Sequence, residues 1–391
     1  IVEASVYDNP AFLRQLKDAA ASLKVGGSWE VSSVVTPLIK EPEGDLLRAL
    51  TQLEPGEEWL LKPEPSEDNP CLWSPGIRLG VKPGSWFHQT ECFGPVLGII
   101  RAENLEEAID IQNDSEFGLT GGLQSLDERE IALWKSKVQV GNAYINRVIT
   151  GAIVRRQPFG GWNHSSMGPG SKAGGPNYLT MLGSWEEKAL PQKLRTPGER
   201  ITGLVEKLCS ELPDCAKRIR SAAGSQAKWW MEEFGVEHDP SHIYGENNTF
   251  RYVPVKGILA RVENMSDADA AILLLGAKLC GAALHLSVEE GHPWIQKMNG
   301  YYASLTVETE AELIDRMPEA AQGVKFLRGT GISEALANAA RARDVEVLDR
   351  PVLANGRLEL LGYFREQAVS ETVHRYGNII PPPGSFKTAG A

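Results

Sequence analysis

A carboxylate and an aromatic ring lie two residues apart in a short motif in the first half of the chain. Residues 91–96 read Glu-Cys-Phe-Gly-Pro-Val. The Glu91 carboxylate can accept hydrogen bonds from sugar hydroxyls, and the Phe93 ring can pack against a flat ring. The motif therefore suits contact with a cofactor. A surface glutamate at the start of a strand explains the same residues equally well.

The segment 141–178 contains eight glycines between aromatic and aliphatic side chains. So many glycines indicate tight turns and close approach of the backbone to another group. Backbone N–H groups in such a loop can hold a carboxylate. A flexible linker would have a similar glycine content, but the interleaved Tyr144, Phe159, Trp162 and Tyr178 favour a packed loop.

Composition excludes several functional classes. A net charge of −11 over 391 residues makes the chain a poor partner for nucleic acid or an anionic membrane surface. No apolar run approaches the ~18–20 residues that span a bilayer. Five irregularly spaced cysteines indicate reduced thiols in a cytoplasmic protein rather than a disulfide framework. His238 and His242 flank Pro240, so we interpret them as part of a turn rather than a metal site.

Residue patterns predict an α/β protein with a mostly parallel sheet, because strands and helices alternate, most clearly after residue 200. The predicted strands are 57–61, 95–100, 140–146, 252–262, 283–288, 302–307, 324–328 and 345–348. The predicted helices are 9–24, 43–53, 104–113, 127–138, 199–221, 266–281, 292–299, 309–321 and 332–343.

Polarity and proline content predict a linker at 191–199, between a first domain at 1–190 and a second at 200–380. Residues 381–391 are predicted to form an unstructured tail. Partial two-residue alternation predicts a flap at about 357–378, built as a long hairpin, with a helix from Phe364 as the competing interpretation.

The turn Arg328-Gly-Thr-Gly331 follows a predicted strand and precedes a predicted helix, so it could cradle a phosphate. The third glycine of the dinucleotide fingerprint is missing at the required spacing. A strand–turn–helix connection alone explains Gly329 and Gly331, and we favour that structural interpretation.

Residues 1–190 resemble the aldehyde dehydrogenase superfamily, and within it the glutamate-γ-semialdehyde (pyrroline-5-carboxylate) dehydrogenases. The motifs are NPCLWSPGIRLGVKPGSWFHQTECFGPVLGI at 69–99, then GNAYINR, TGAIV, RQPFGGW and GPGSKAGGPNYL. The likeness is nearest to the dehydrogenase module of the bifunctional proline utilization A family. FRYVPV, PVLANGRLEL and REQAVSETVHRYGN resemble the extra C-terminal domain of its longer members, a Rossmann-like, non-catalytic aldehyde-dehydrogenase-superfamily domain with a β-flap. The flap is expected to cover the active site.

The resemblance implies roles for single residues. It implies that Glu91 contacts the nicotinamide ribose of NAD and that Phe93 packs near the nicotinamide. Gly151 and Ala152 match an anchor loop whose N–H groups hold the substrate α-carboxylate. Phe159 matches an aromatic wall around the aliphatic chain of the substrate. Monofunctional relatives often have serine at the position of Ala152, so only backbone donors are expected there.

Two arginines in the same loop, Arg155 and Arg156, replace smaller residues that are common in the family. We expect them to form ion pairs at the surface or with a neighbouring domain rather than to contact substrate.

The activity implied by the resemblance is NAD-dependent oxidation of L-glutamate γ-semialdehyde to L-glutamate in proline catabolism. A cysteine thiolate attacks the aldehyde, hydride passes to NAD, and water hydrolyses the thioester. In the family this cysteine comes just before a stretch like IVEASVYDNPAF, so we expect it upstream of Ile1 and expect this chain to be an inactive fragment without catalytic residues.

The resemblance also implies partners for the chain. An upstream proline dehydrogenase domain with FAD is expected in the same polypeptide, and so is assembly into a homo-oligomer. The expected location is cytoplasmic, with peripheral membrane contact through the flavin domain.

A non-enzymatic structural or assembly module, a pseudo-dehydrogenase lid, is the alternative function. Glu91, Phe93, Gly151 and Phe159 favour an enzyme, whereas the lack of a nucleophile favours a module for this chain taken alone. A DNA-binding regulator is disfavoured by the net charge of −11. A different aldehyde substrate is disfavoured by TGAIV followed by QPFGG, which suits an α-amino-acid semialdehyde.

Overall fold

A computed structural model describes residues 1–166, 170–289, 292–375 and 378–379. These residues form two compact units, the first from 1–116 and 125–139, the second from 117–124 and the described residues after 139. The predicted tail at 381–391 lies outside the described residues, as do residues 167–169 of the glycine-rich segment.

The first unit contains small sheets and short helices. Strand β2 pairs antiparallel with β3, β3 pairs parallel with β4, and β1 pairs parallel with β5. Ile77, Leu79 and Ile99 are buried together in its core. Its strands are β1 (Val2–Glu3), β2 (Glu58–Leu61), β3 (Gly76–Leu79), β4 (Val96–Gly98) and β5 (Arg101–Ala102). Its helices are α1 (Ala4–Tyr7), α2 (Pro10–Ala21), α3 (Gly44–Thr51), α4 (Trp86–Gln89), α5 (Leu105–Asn113) and α6 (Glu128–Lys137).

Helix starts in the first unit follow the sequence. Asn9 accepts a hydrogen bond from the Ala11 N–H ahead of α2, and Asn104 accepts one from the Glu107 N–H ahead of α5, both at 2.9 Å. A side-chain oxygen at this position satisfies an N–H group that the helix itself leaves without a partner. The predicted helices at 9–24 and 104–113 are confirmed.

The strands of the second unit are β6 (Phe117–Gly118), β7 (Thr120–Leu123), β8 (Asn142–Ile145), β9 (Trp162–Asn163), β10 (Glu246–Pro254), β11 (Gly257–Arg261), β12 (Ala283–Val288), β13 (Ser304–Val307), β14 (Phe326–Gly329), β15 (Glu346–Asp349), β16 (Phe364–Thr372), β17 (His374–Arg375) and β18 (Asn378–Ile379). Its helices are α7 (Glu199–Glu211), α8 (Ala216–Trp229), α9 (Asp267–Cys280), α10 (Pro293–Gln296), α11 (Glu310–Asp315), α12 (Met317–Ala320), α13 (Glu334–Arg341) and α14 (Gly356–Glu359).

The second unit contains a parallel five-stranded sheet with strand order β13-β12-β11-β14-β15. In chain order this is 3-2-1-4-5, as in a Rossmann-like doubly wound sheet. Helices α7, α8 and α9 bury their apolar faces in the same core as β11 and β12. The predicted α/β class with parallel strands is confirmed.

A second sheet of the same unit has the order β10-β16-β8-β7. Strand β16 pairs antiparallel with β10 and parallel with β8, and β8 pairs parallel with β7. Strands from before residue 150 and after residue 240 therefore share one sheet.

Four element predictions need correction. The single helix predicted at 309–321 is two helices, α11 and α12, which meet at Arg316, because Pro318 has no N–H to continue the hydrogen bonds of α11. The single strand predicted at 252–262 is two strands, β10 and β11, because the chain changes sheets between them. The single helix predicted at 199–221 is interrupted before Ala216, where Pro213 starts a 3₁₀ turn. In the predicted hairpin, residues 356–363 form helical turns and an extended strand begins at Phe364, so the competing helix from Phe364 is wrong. Residues 376–377 of the predicted flap lie outside the described residues.

Candidate functional site

The two residues expected to contact the cofactor lie in the first unit, on the loop between α4 and β4. Glu91 is exposed, and Phe93 is 79% exposed. The Gly94 N–H donates to the Cys92 carbonyl at 2.9 Å, so the backbone turns tightly between the two side chains. The carboxylate and the ring are therefore presented to solvent from one short turn.

His88 fixes the helix before this loop. Its Nδ1 accepts a hydrogen bond from the Gly84 N–H at 2.9 Å. Because a backbone N–H can only donate, the neutral ring carries its proton on Nε2, which lies 3.0 Å from the Ile111 carbonyl oxygen and donates to it. One ring nitrogen thus ties α4 to the turn before it, and the other ties α4 to the end of α5.

Three of the five cysteines differ from an activated nucleophile. Burial raises the pKa of the Cys92, Cys209 and Cys280 thiols, whereas a reactive thiol needs a lowered pKa. Cys71 and Cys215 are half-buried free thiols. The expectation that the nucleophile is not among these residues stays a prediction.

The predicted anchor loop follows β8 in the second unit. Gly151 has a φ of +120°, which side-chain-bearing residues rarely adopt. Ile153 and Gln157 exchange two backbone hydrogen bonds, with N–O distances of 3.2 and 2.7 Å. Arg155 lies within this turn at a φ of 64°. The loop is therefore a defined turn rather than an open linker.

The carbonyl of Gly151 is held from two sides. The Tyr144 hydroxyl donates to it at 2.8 Å. With the Gln157 amide oriented to satisfy both of its ends, its nitrogen donates to the same carbonyl at 3.1 Å and its oxygen accepts from Arg147 at 3.0 Å. In the described part of the chain, the N–H groups of Gly151 and Ala152 donate to no protein group, and both residues are exposed.

Arg156 reaches a strand that lies far along the sequence. Its guanidinium forms two hydrogen bonds with the Glu246 carboxylate at the start of β10, one with an Nε–Oε2 distance of 2.9 Å. The expectation of an ion pair is confirmed for Arg156. Arg155 is exposed, and its backbone N–H donates to the Gly174 carbonyl at 3.1 Å.

Phe159 is half-buried and lies on a backbone segment that is tied at both ends. Phe159 and Ala173 exchange two backbone hydrogen bonds of 3.0 and 2.9 Å. The Asn142 side chain donates to the Pro158 carbonyl at 3.0 Å and accepts from the Gly160 N–H at 3.1 Å. One buried amide therefore fixes the residues on either side of the ring.

A buried lysine and a buried glutamate hold this backbone segment through hydrogen bonds. The Lys172 ammonium donates to Asn142 Oδ1 at 3.1 Å and to the Gly160 carbonyl. The Glu366 carboxylate of β16 accepts from the Lys172 backbone N–H at 2.8 Å and from Asn177 Nδ2 at 2.7 Å. Burial lowers the pKa of Lys172 to about 7, against the opposing effect of Glu366, and burial raises the pKa of Glu366.

The glycine turn after β14 has a partner within the protein. The N–H groups of Gly331 and Ile332 donate to the two Asp349 carboxylate oxygens at 2.7 and 3.2 Å. These are the donors that a phosphate would require, so the observation supports the structural interpretation of the turn.

The described residues offer neither a metal site nor a membrane-spanning helix. They contain no group of three or more His, Cys, Asp or Glu side chains that could hold a metal ion. No helix among them is long and apolar enough to cross a membrane.

Sequence reasoning missed several side chains that support the loops of the second unit. It used Tyr144 only as evidence for a packed loop, and it gave no role to Lys172 of the same glycine-rich segment. Gln157 is also in the motif but carries no pattern of its own. Glu246 and Glu366 lie in the second half, and only the shared sheet brings them to these loops.

Comparisons with known proteins agree with the motifs. Residues 1–184 match the Aldehyde dehydrogenase family. The chain is 34% identical over 182 residues to the 1-pyrroline-5-carboxylate dehydrogenase of Geobacillus sp. (strain WCH70), which covers 46% of this chain and 35% of the relative. It is 33% identical over 182 residues to the enzyme of the same name from Bacillus subtilis (strain 168), with the same coverage.

A solved structure is similar over nearly the whole chain. Proline utilization A from Corynebacterium freiburgense is 44% identical, with a TM-score of 0.78. The match covers 95% of this chain and 35% of that protein, so the chain spans about a third of the length of the relatives it matches. Residues 1–184, slightly less than half of the chain, are thus similar to the aldehyde dehydrogenase family.

Proposed function

We propose that this chain supplies NAD-binding and substrate-binding residues to an enzyme that oxidises L-glutamate γ-semialdehyde to L-glutamate in proline catabolism. The identities of 34% to a 1-pyrroline-5-carboxylate dehydrogenase and 44% to a proline utilization A support the reaction class and the pathway. Each relative is much longer than the region that matches this chain, so the activity of a whole enzyme comes to this chain only as a proposal.

The anchor loop is the observation that carries the proposal. The exposed N–H groups of Gly151 and Ala152 have no protein acceptor among the described residues, while the Gly151 carbonyl is held by Tyr144 and Gln157. Fixed N–H donors in a glycine turn are suited to a carboxylate. An aldehyde that carries an α-carboxylate, with Phe159 beside its aliphatic chain, fits such a loop.

The residues of the first unit fit NAD. Glu91 would hold the nicotinamide ribose, and Phe93 would pack near the nicotinamide. Both side chains reach solvent, which leaves the carboxylate and the ring available to a ligand. When bound, NAD accepts the hydride that the aldehyde loses.

The nucleophile is proposed to come from a segment before Ile1. The raised pKa values of Cys92, Cys209 and Cys280 support this, because burial keeps these thiols protonated. The chain alone is then inactive. The same observation favours the second candidate function, a non-enzymatic assembly module.

Further domains, the oligomeric state and the cellular location are also part of the proposal. The matched region covers 35% of proline utilization A, so that relative has further segments, and we propose that the polypeptide of this chain likewise contains an upstream proline dehydrogenase domain with FAD. Residues 1–190 and 200–380 would be separate evolutionary domains, the second a non-catalytic lid whose flap covers the active site. A homo-oligomer and a cytoplasmic location complete the proposal, the latter supported by five free cysteines.

Intact mass and NADH formation from L-glutamate γ-semialdehyde test the proposal together. The native protein is expected to form NADH, and a purified chain of 42.7 kDa is expected to form none. Turnover by the 42.7 kDa chain would refute the placement of the nucleophile. A native protein that forms no NADH would favour the assembly module.

A further inference from the structure

We propose that Glu246, on the first residue of β10, is a positioning residue for recognition of the substrate carboxylate. The inference rests on the proposed function. It adds a residue from the second half of the chain to the substrate site, without placing that residue in contact with substrate.

Glu246 stands on a rigid support. Strand β10 pairs with β16 over nine residues, from Glu246 opposite Thr372 to Pro254 opposite Phe364. Asn248 Nδ2 donates to Glu246 Oε2 at 2.8 Å, which fixes the carboxylate relative to its own strand. Its own strand therefore fixes the position of the carboxylate independently of the loop.

Two arginines of the loop converge on this carboxylate. Arg156 binds it in a bidentate manner, with Nε 2.9 Å from Oε2, and Arg147 lies 3.6 Å from Oε2. The Arg147, Arg156 and Glu246 side chains are only 16%, 26% and 17% exposed. Without Glu246, two partly desolvated cations would face each other without a counter-charge.

A short series of contacts leads from this carboxylate to the anchor. Arg147 donates to Gln157, and Gln157 donates to the Gly151 carbonyl. Arg156 directly precedes Gln157 in the chain. Both arginines that face Glu246 therefore restrain the same turn. The peptide whose carbonyl is fixed in this way belongs to Gly151, and its nitrogen is the Ala152 N–H, one of the two proposed carboxylate donors.

The effect of Glu246 should be selective for substrates that carry a carboxylate. We expect the anchor, which lies away from the reacting carbon, to hold the carboxylate equally in the ground and transition states, so its loss should raise KM and leave kcat unchanged. An aldehyde without a carboxylate does not use the anchor. Its oxidation should not depend on Glu246.

The experiment compares two aldehydes in the native protein with NAD, L-glutamate γ-semialdehyde and propionaldehyde. Glu246→Gln is expected to raise KM for the semialdehyde about tenfold, with kcat and the kcat/KM for propionaldehyde unchanged. Glu246→Asp, which keeps the charge, should restore part of the loss. Arg156→Gln removes the same ion pair from the loop side and should give the same selective change.

Glu237→Gln is the matched control, because Glu237 forms an ion pair of 3.2 Å with Arg251, which lies on β10 like Glu246. It should leave both substrates unaffected. An equal loss for both aldehydes in Glu246→Gln and Arg156→Gln, or no loss in either, overturns the inference. If the unmodified protein oxidises propionaldehyde but not the semialdehyde, the proposed function fails instead, and the inference falls with it.

Discussion

Glu246 and Glu366 are carboxylates on adjacent strands that support neighbouring loops in different ways. Burial alone would raise the pKa of Glu246, but hydrogen bonds from Asn248 and Arg156 and the arginine charges outweigh burial, so its pKa is lowered. Burial raises the pKa of Glu366, although Lys172 and Asn177 oppose the shift. The first carboxylate is well compensated, whereas the second is held in a poorly solvated interior.

This difference separates positioning from stability. A partly exposed ion pair contributes little to folding but can set the conformation of a loop. A buried polar network is expensive to disrupt, because each partner left behind loses both water and its hydrogen bond. Changes at Glu366 should therefore appear in unfolding measurements, and changes at Glu246 in substrate recognition.

The largest expected effect is on stability at Glu366. Glu366→Ala leaves the Lys172 N–H and the Asn177 amide buried without their acceptor and should lower the free energy of unfolding by about 3–5 kcal/mol. Urea unfolding followed by circular dichroism measures the change. Glu237→Ala, at a half-exposed ion pair, should lose less than about 1 kcal/mol. Similar losses of unfolding free energy in Glu366→Ala and Glu237→Ala would show that Glu366 contributes no more to stability than a half-exposed ion pair does.

The next effect is a dependence of stability on pH. Unfolded Lys172 keeps its proton up to its usual pKa of 10.5, whereas folded Lys172 is protonated only below about 7. Between these values the unfolded state binds more protons, so stability rises with pH. The raised pKa of Glu366 gives the opposite slope above 4.5, where stability falls as pH rises towards its folded pKa.

Lys172→Met isolates the lysine contribution. Between pH 7 and pH 9 the unmodified chain should gain about 2 kcal/mol in free energy of unfolding relative to Lys172→Met. Urea unfolding midpoints at several pH values measure this difference. Parallel curves for the two proteins would show that Lys172 keeps an ordinary pKa in the folded chain.

The sequence predicts much of the fold because its signals are local. Asn104 and Gly281 mark helix ends, and the parallel strands follow apolar segments such as 283–288. Strand β16 could not be separated from a helix by local pattern. It is extended because its ladders with β10 and β8 satisfy its backbone, and that choice depends on residues more than 100 positions away.

The sequence predicts only those residues of the candidate site that lie within a recognisable motif. Gly151, Ala152 and Phe159 follow from the glycine-rich segment and its resemblance to known enzymes. Glu246 has no local signal, since a glutamate at a strand start is ordinary on any surface. Its role depends on the pairing of Glu246 with Thr372 in the sheet and on the hydrogen bond by which Arg156 reaches the start of β10.

A smaller effect is expected at Tyr144, whose hydroxyl shares the Gly151 carbonyl with Gln157. Tyr144→Phe removes one neutral hydrogen bond and should cost about 1 kcal/mol, which corresponds to an approximately fivefold higher KM for L-glutamate γ-semialdehyde. Steady-state kinetics on the native protein measure it. A change in kcat with KM unaffected would contradict the assignment of Tyr144 to the anchor.

The smallest effect on stability is expected at Phe93 in the first unit. Because the residue is 79% exposed, Phe93→Ala should change the free energy of unfolding by less than about 0.5 kcal/mol. The proposed contact with nicotinamide should nevertheless raise KM for NAD about fivefold in the native protein, with KM for the aldehyde unchanged. Leu97→Ala, at another exposed apolar residue of the same unit, is the control and should leave KM for NAD unchanged. If Phe93→Ala lowers stability by several kcal/mol, the ring packs within the protein and the contrast between an open cofactor loop and a supported substrate loop is lost.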